Sequence, residues 1–176
     1  MKYLDALIIG AGFSGLYQLH CLRDKLKLNT LVIEEGKDIG GTWYWNTYPG
    51  ARCDSESFTY GFTFSEKIFK NWTWKERYPK QNVILKYLKY FSNELKLKKN
   101  IVFNEKVISA KYIEKNNLWK VQTNNKKKYY TKYLICAVGS LSSINLPKIK
   151  GINQFKGQLH HSGRSVSYTH LRAHET

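Results

Sequence analysis

The chain has 176 residues, of which 42% are hydrophobic and 15% aromatic, enough to close one core and too apolar for a disordered protein. Its 29 Lys and Arg against 13 Asp and Glu give a formal charge of +16, which invites a nucleic-acid or anionic-membrane partner through counterion release. Neither partner is expected: the lysines are scattered over helix faces (Lys86, Lys89, Lys96, Lys98, Lys99) and a hairpin tip (Lys126, Lys127, Lys128), without a DNA- or RNA-reading motif, and no apolar run approaches the ~18 residues that cross a membrane. Cys21, Cys53 and Cys136 are isolated and odd in number, which argues against a disulfide framework or thiolate metal site. With an N-terminus too short in its apolar part for a secretory signal, a cytoplasmic protein is expected.

Tyr3 to Ile9 is an apolar run broken only by Asp5, and it ends in Gly10-Ala11-Gly12-Phe13-Ser14-Gly15. Leu16, Leu19, Leu22 or Arg23, and Leu26 then recur at helical spacing, so the pattern predicts strand, glycine turn and helix. In such a unit Gly10 permits the tight turn, Gly12 lets the backbone reach a pyrophosphate at the positive end of the helix, and Gly15 lets the helix lie close to the strand. Leu31-Val32-Ile33 reads as a second strand. Glu34 stands at its end, where an acid accepts hydrogen bonds from a ribose hydroxyl; Glu35 is the adjacent alternative, and an ordinary solvated acid the simpler one.

Gly40 to Asp54, G-G-T-W-Y-W-N-T-Y-P-G-A-R-C-D, has neither helical nor strand periodicity. A Gly-Gly pair allows close approach to a ligand, Pro49-Gly50 signals a turn, and flat Trp and Tyr rings can line a slot for another flat ring. The segment therefore reads as a binding loop, the alternative being a surface loop whose aromatics pack on the domain. Phe58, Tyr60, Phe62 and Phe64 alternate as a strand would, but packing around the loop suits them, Phe69, Trp72 and Trp74 better.

Gln81 to Leu97 predicts a helix, with Ile84, Tyr87, Leu88, Phe91 and Leu95 on one face. Strands are expected at Ile101 to Phe103, Val107 to Ile113, Leu118 to Thr123 and Tyr129 to Tyr133, forming a small meander. Tyr133 to Val138 is a continuous apolar run ending in Gly139, as for a central strand buried on both faces that returns to the first sheet. Leu146-Pro147 and Gly151 mark an exit loop, and no second glycine fingerprint follows. The fold class expected is α/β: a Rossmann-like domain with a parallel sheet, helices and a small antiparallel β-meander, truncated before any second dinucleotide domain.

Gly10 to Gly15, Glu34, the Gly40 to Asp54 run, the Trp72-Thr73-Trp74 spacing and Phe155-x-Gly157-x-x-x-His161 together resemble the N-terminal part of Baeyer–Villiger monooxygenases, within the class B flavin-containing monooxygenases. The resemblance runs from residue 1 to about 164. It implies an FAD-binding domain in an enzyme that also uses NADPH and oxygen, and inserts one oxygen atom next to a ketone carbonyl to give an ester or lactone. A related flavin-containing N- or S-oxygenase, or an amine N-hydroxylase, is the alternative.

Carried over residue by residue, the resemblance implies FAD contacts at Gly10, Gly12, Phe13, Ser14, Gly15 and Glu34. It places Gly41, Thr42 and Trp43 along the flavin and includes Tyr48 and Asp54 in the cofactor-binding set. Asp54 is also the catalytic candidate, the acid that positions an active-site arginine lying beyond residue 176. The family pattern breaks at Ser165 and Val166, where a Trp and its neighbour belong. Residues 165–176 resemble a translated sequencing-adapter tail and are expected to lie outside the domain of residues 1–164. His170 and His174 have helical zinc-site spacing but lack the glutamate and a third ligand, so no metal is expected.

Overall fold

The computed structural model describes residues 2–157 and 159–164. The expected contrast between the tail at 165–176 and the domain lies outside the described residues.

Strand β1 (Lys2–Ile9) leads through the glycine turn into helix α1 (Phe13–His20), and the chain returns as β2 (Thr30–Ile33). All four residues of β2 are buried, because parallel strands flanked by both neighbours and covering layers expose no face. The helix widens into a π-type segment at Cys21–Lys25, and Leu26, predicted on the buried stripe, is 63% exposed. The change of pitch turns it off the face that carries Leu16 and Leu19.

A one-turn helix α2 (Thr42–Trp45) sits inside the stretch that shows no periodicity, since four residues are too few to display one. Helix α3 (Glu66–Lys70) is capped by the Ser65 hydroxyl, which accepts from the Ile68 amide. Helix α4 (Gln81–Glu94) buries Ile84, Tyr87, Leu88 and Phe91 as the spacing predicts. It ends short of Leu97: Lys96 turns left-handed (φ 51°), and the Arg23 guanidinium takes the orphan carbonyls of Leu95 (2.7 Å) and Lys96 (3.1 Å). Phe62, Phe64, Trp72 and Trp74 do not form a strand but pack, half-buried, on α1 and α4, whereas Phe58 and Phe69 are exposed.

The remaining strands are β3 (Ile101–Val102), β4 (Val107–Ile113), β5 (Leu118–Thr123) and β6 (Lys128–Cys136). The sequence separates a meander from a returning central strand; the structure joins them. Strand β6 pairs along its length with β1 in parallel, Lys2 with Tyr129 through Ile9 with Cys136, while its first half pairs antiparallel with β5. One six-stranded sheet results, in the order β3-β2-β1-β6-β5-β4, parallel from β3 to β6 and antiparallel beyond.

Helices α1 and α4 cover one face of the sheet, with Ile8, Val32, Leu16, Leu19, Leu88 and Phe91 in the shared core. On the other face Leu7, Leu31 and Ile33 meet Val121 and Tyr129 of the antiparallel strands. The end of β6 is not buried on both faces as predicted. Tyr133 is 60% and Val138 52% exposed, and Cys136 is exposed as well, with no described element packed over them.

Candidate functional site

The carboxyl ends of β1, β2 and β6 meet at one edge of the sheet. Strand β1 has its first crossover partner β2 on one side and the late-arriving β6 on the other, and open α/β sheets bind ligands at such a switch in strand order. The glycine turn occupies this position. Gly15 packs so tightly beneath it that a Cβ would stand 1.9 Å from the Gly10 carbonyl oxygen, so the start of α1 can lie on the turn only without a side chain. Gly12 is the N-cap of α1 and offers no side chain to its first amides.

Glu34 lies where the sequence places it. It follows β2 directly, is 5% exposed, and its two carboxylate oxygens accept the amides of Ala11 (2.7 Å) and Gly36 (2.6 Å). A carboxylate has about four acceptor positions, so this one fixes the glycine turn and keeps capacity for a ligand hydroxyl. Glu35, the alternative, is exposed and paired with Lys106 at 3.0 Å.

The aromatic loop is bonded to the glycine turn. The Gly40 amide donates to the Ala11 carbonyl (3.0 Å), and Gly41 and Gly12 lie back to back, so that a Cβ on Gly41 would be 2.9 Å from the Gly12 Cα. The space that Gly12 leaves is thus shared with the second loop rather than turned wholly outward. Gly41 has φ 54° and ψ −124°, a backbone that side-chain-bearing residues avoid, and it opens directly into α2.

Trp43 is committed to the core at 8% exposure. Its indole N–H donates to the Tyr60 hydroxyl (3.1 Å) in an edge-on pair, and the Gln81 amide side chain donates to its carbonyl. Thr42 and Tyr48 are half-buried on the same loop, and Tyr48 opens the turn whose amide at Ala51 donates back at 3.1 Å. Phe13 and Ser14 start α1, Phe13 against Tyr60 and Phe62 and Ser14 exposed.

Asp54 is exposed, near enough for its charge to act on Tyr60. Burial pushes the Tyr60 phenol upward and the nearby Cys53 and Asp54 add to this, against the Trp43 N–H donor. The structure therefore brings Gly10, Gly12, Gly15, Glu34, Gly41 and Thr42 to one edge, puts Trp43 beneath them, and holds Tyr48 and Asp54 further along the loop.

Gln81 and Asp38 carry no sequence signal for their supporting roles, whereas Tyr60 packs on the loop as the sequence suggests. Gln81 and Tyr60 hold Trp43 from distant parts of the chain. Asp38 receives both Lys89 (3.0 Å) and Lys98 (2.6 Å), which tie α4 and the segment after it to the loop between β2 and α2. Burial alone would raise the Asp38 pKa, but the two ammonium groups and the Ile39 amide outweigh it and hold it below the usual carboxylate range.

The sequence profile of the flavin-binding monooxygenase-like family matches residues 5–173. The chain belongs to this family. A Baeyer–Villiger monooxygenase of Pseudooceanicola batsensis is 43% identical over 90% of the chain and 29% of that protein's length. The phenazine N-monooxygenase PhzNO1 of Lysobacter antibioticus is 40% identical over 92% of the chain and 30% of its own. The crystal structure of cyclohexanone monooxygenase from Rhodococcus sp. Phi1 bound to NADP+ superposes with a TM-score of 0.85 at 40% identity, covering 92% of this chain and 30% of that one. The chain thus spans a little under a third of the length of these relatives.

For a flavin-binding monooxygenase-like domain the edge described above is chemically suitable. A pyrophosphate suits an uncapped helix start, a ribose suits a buried acid with free acceptor capacity, and the two glycine loops leave backbone rather than side chains at the surface between them. Among the described residues no helix is long and apolar enough to cross a membrane, and no group of His, Cys, Asp and Glu could hold a metal ion.

Proposed function

We propose that this chain is the FAD-binding portion of an NADPH-dependent Baeyer–Villiger monooxygenase, acting on a ketone and oxygen to give an ester or lactone. The observation that carries the reading is Glu34 bonded to the amide of Ala11, which joins the ribose-type acid and the phosphate-type turn in one edge of the sheet. When bound, FAD supplies the electron transfer and oxygen activation that no side chain can supply. The residues of this chain bind and orient it. The first amides of α1, behind Gly12, Phe13, Ser14 and Gly15, take the pyrophosphate, and Glu34 takes the ribose. Gly41 and Thr42 run along the flavin with Trp43 as their floor. Tyr48 lines the same loop, and Asp54, exposed at its end, is available to orient an arginine from the remainder of the enzyme. NADPH and the ketone are met there too.

A second reading has support of its own, since an N-oxygenating relative matches the chain almost as well as a ketone-oxygenating one. The two part on substrate. Flavin fluorescence quenching should show FAD binding by the 176-residue chain and none by Gly12→Trp, whose indole would fill the gap between the loops. Residues 1–164 exchanged into a full-length relative should support NADPH-dependent lactone formation from a cyclic ketone. Equal FAD affinity in both proteins refutes the site, and oxidation of an aromatic amine or N-heterocycle without any ketone oxidation favours the second reading.

A further inference from the structure

Glu105 is a buried acid to which the site described above gives no role. It follows β3 by three residues, is 1% exposed, and its carboxylate takes the Tyr129 hydroxyl on Oε1 (2.9 Å) and the Lys127 ammonium on Oε2 (2.6 Å). Burial alone would push its pKa up, but these donors outweigh that and hold it below the ordinary glutamate value, so it is charged at neutral pH.

Its backbone faces the other way. The Glu105 amide donates to the Glu34 carbonyl (3.0 Å), the Asn104 amide donates to the Gly36 carbonyl (3.0 Å), and the Glu34 amide donates to the Val102 carbonyl (2.8 Å). The segment from Val102 to Glu105 therefore grips both ends of the Glu34–Gly36 turn, the turn whose own side chain reaches across to Ala11. Asn104 adopts a left-handed conformation (φ 55°) to present two successive amides to that turn. An apolar side chain at 105 could fill the same volume, yet only a charged acceptor with two fixed donors also sets direction.

We propose that Glu105 is a positioning residue for Glu34, the Lys127–Glu105–Tyr129 clamp aligning the ribose-binding carboxylate through the peptide that joins them. The proposal rests on the FAD reading of the site. It gives the basic hairpin tip a purpose: Lys127 neutralises the acid that holds the turn in place.

The test uses the 176-residue chain with three ligands: FAD, ADP, and ADP lacking both hydroxyls on its ribose. Glu105→Gln and Tyr129→Phe should each weaken FAD and ADP by roughly tenfold, as loss of a residue that orients a ligating group does. Both should leave the dideoxy ligand at its wild-type affinity, because the aligned carboxylate then has no hydroxyl to meet. An equal loss for all three ligands, which a merely structural role would give, overturns the proposal, as does no loss for any.

A wild-type chain that binds none of the ligands overturns the FAD reading itself. A wild-type chain that does not distinguish ADP from the dideoxy ligand removes the ribose role of Glu34 and the proposal with it. Should Glu105→Gln fail to fold, Tyr129→Phe carries the same expectation, since it removes one hydroxyl and leaves the ring in its core site.

Discussion

Replacing Gly41 by alanine tests whether the two loops are locked together. An added Cβ would stand 2.9 Å from the Gly12 Cα, where both neighbours are backbone, so relief requires the loops to part. The substitution also forces alanine into φ 54°, ψ −124°, and conformations this sparse cost on the order of 1 to 3 kcal/mol. For a domain of this size that is a fall of roughly 2 to 12 °C in melting temperature.

Gly50→Ala is the control, because Gly50 also has positive φ (76°) but nothing lies within 4 Å of its missing Cβ. The excess loss in Gly41→Ala over Gly50→Ala reads the contact between loops together with the added strain of φ 54°, ψ −124°, and thermal unfolding by circular dichroism measures both. FAD affinity should fall for Gly41→Ala by more than its loss of stability explains, since the cleft itself is opened. A Gly41→Ala chain as stable as wild type, or no less stable than Gly50→Ala, would refute the loop-to-loop contact.

Phe91 is fully buried with Phe62 at 4.1 Å between ring centroids, so Phe91→Ala should cost about 3 to 5 kcal/mol in urea unfolding. Phe69→Ala, at a half-exposed ring, should stay within about 0.5 kcal/mol. At alkaline pH, Tyr129 is the group to follow: burial, and then its bond to the Glu105 carboxylate, push the phenol up to about 12. A raised folded-state pKa means that the folded protein holds this proton more tightly, so the contribution is complete below pH ~10 and is lost as pH rises toward 12. Unfolding free energies from urea titrations across that range should fall more steeply for wild type than for Tyr129→Phe, by at most about 1.4 kcal/mol per pH unit; parallel curves would discount the pairing.

What the sequence disclosed was local. The turn at Gly10–Gly15 and the acid at Glu34 were legible because phosphate and ribose recognition impose fixed residue types at fixed spacings within a short unit. Helix α4 was legible because fourteen residues carry several turns of one buried stripe. Strand β6 reads as two in sequence because its mixed first half gives way at Tyr133 to a continuous apolar run, and only pairing on both sides reveals one strand. The roles of Gln81, Tyr60 and Glu105 depend on partners 17 to 38 residues away, or reached through backbone, and no local pattern encodes such contacts.

The placing of β1 in the middle of the sheet affects how the chain is made. One of its two neighbours, β6, is not complete until Cys136 has been synthesised, long after β1 itself has emerged. At ~5 to 20 residues per second the wait is roughly 6 to 25 s, during which one edge of a short, apolar, parallel pair stands open to any other unpaired strand. Overexpression at high temperature should therefore trap nascent chains through β1. Slowing initiation, so that ribosomes on one message are further apart, should recover more folded protein than any change made at the glycine turn.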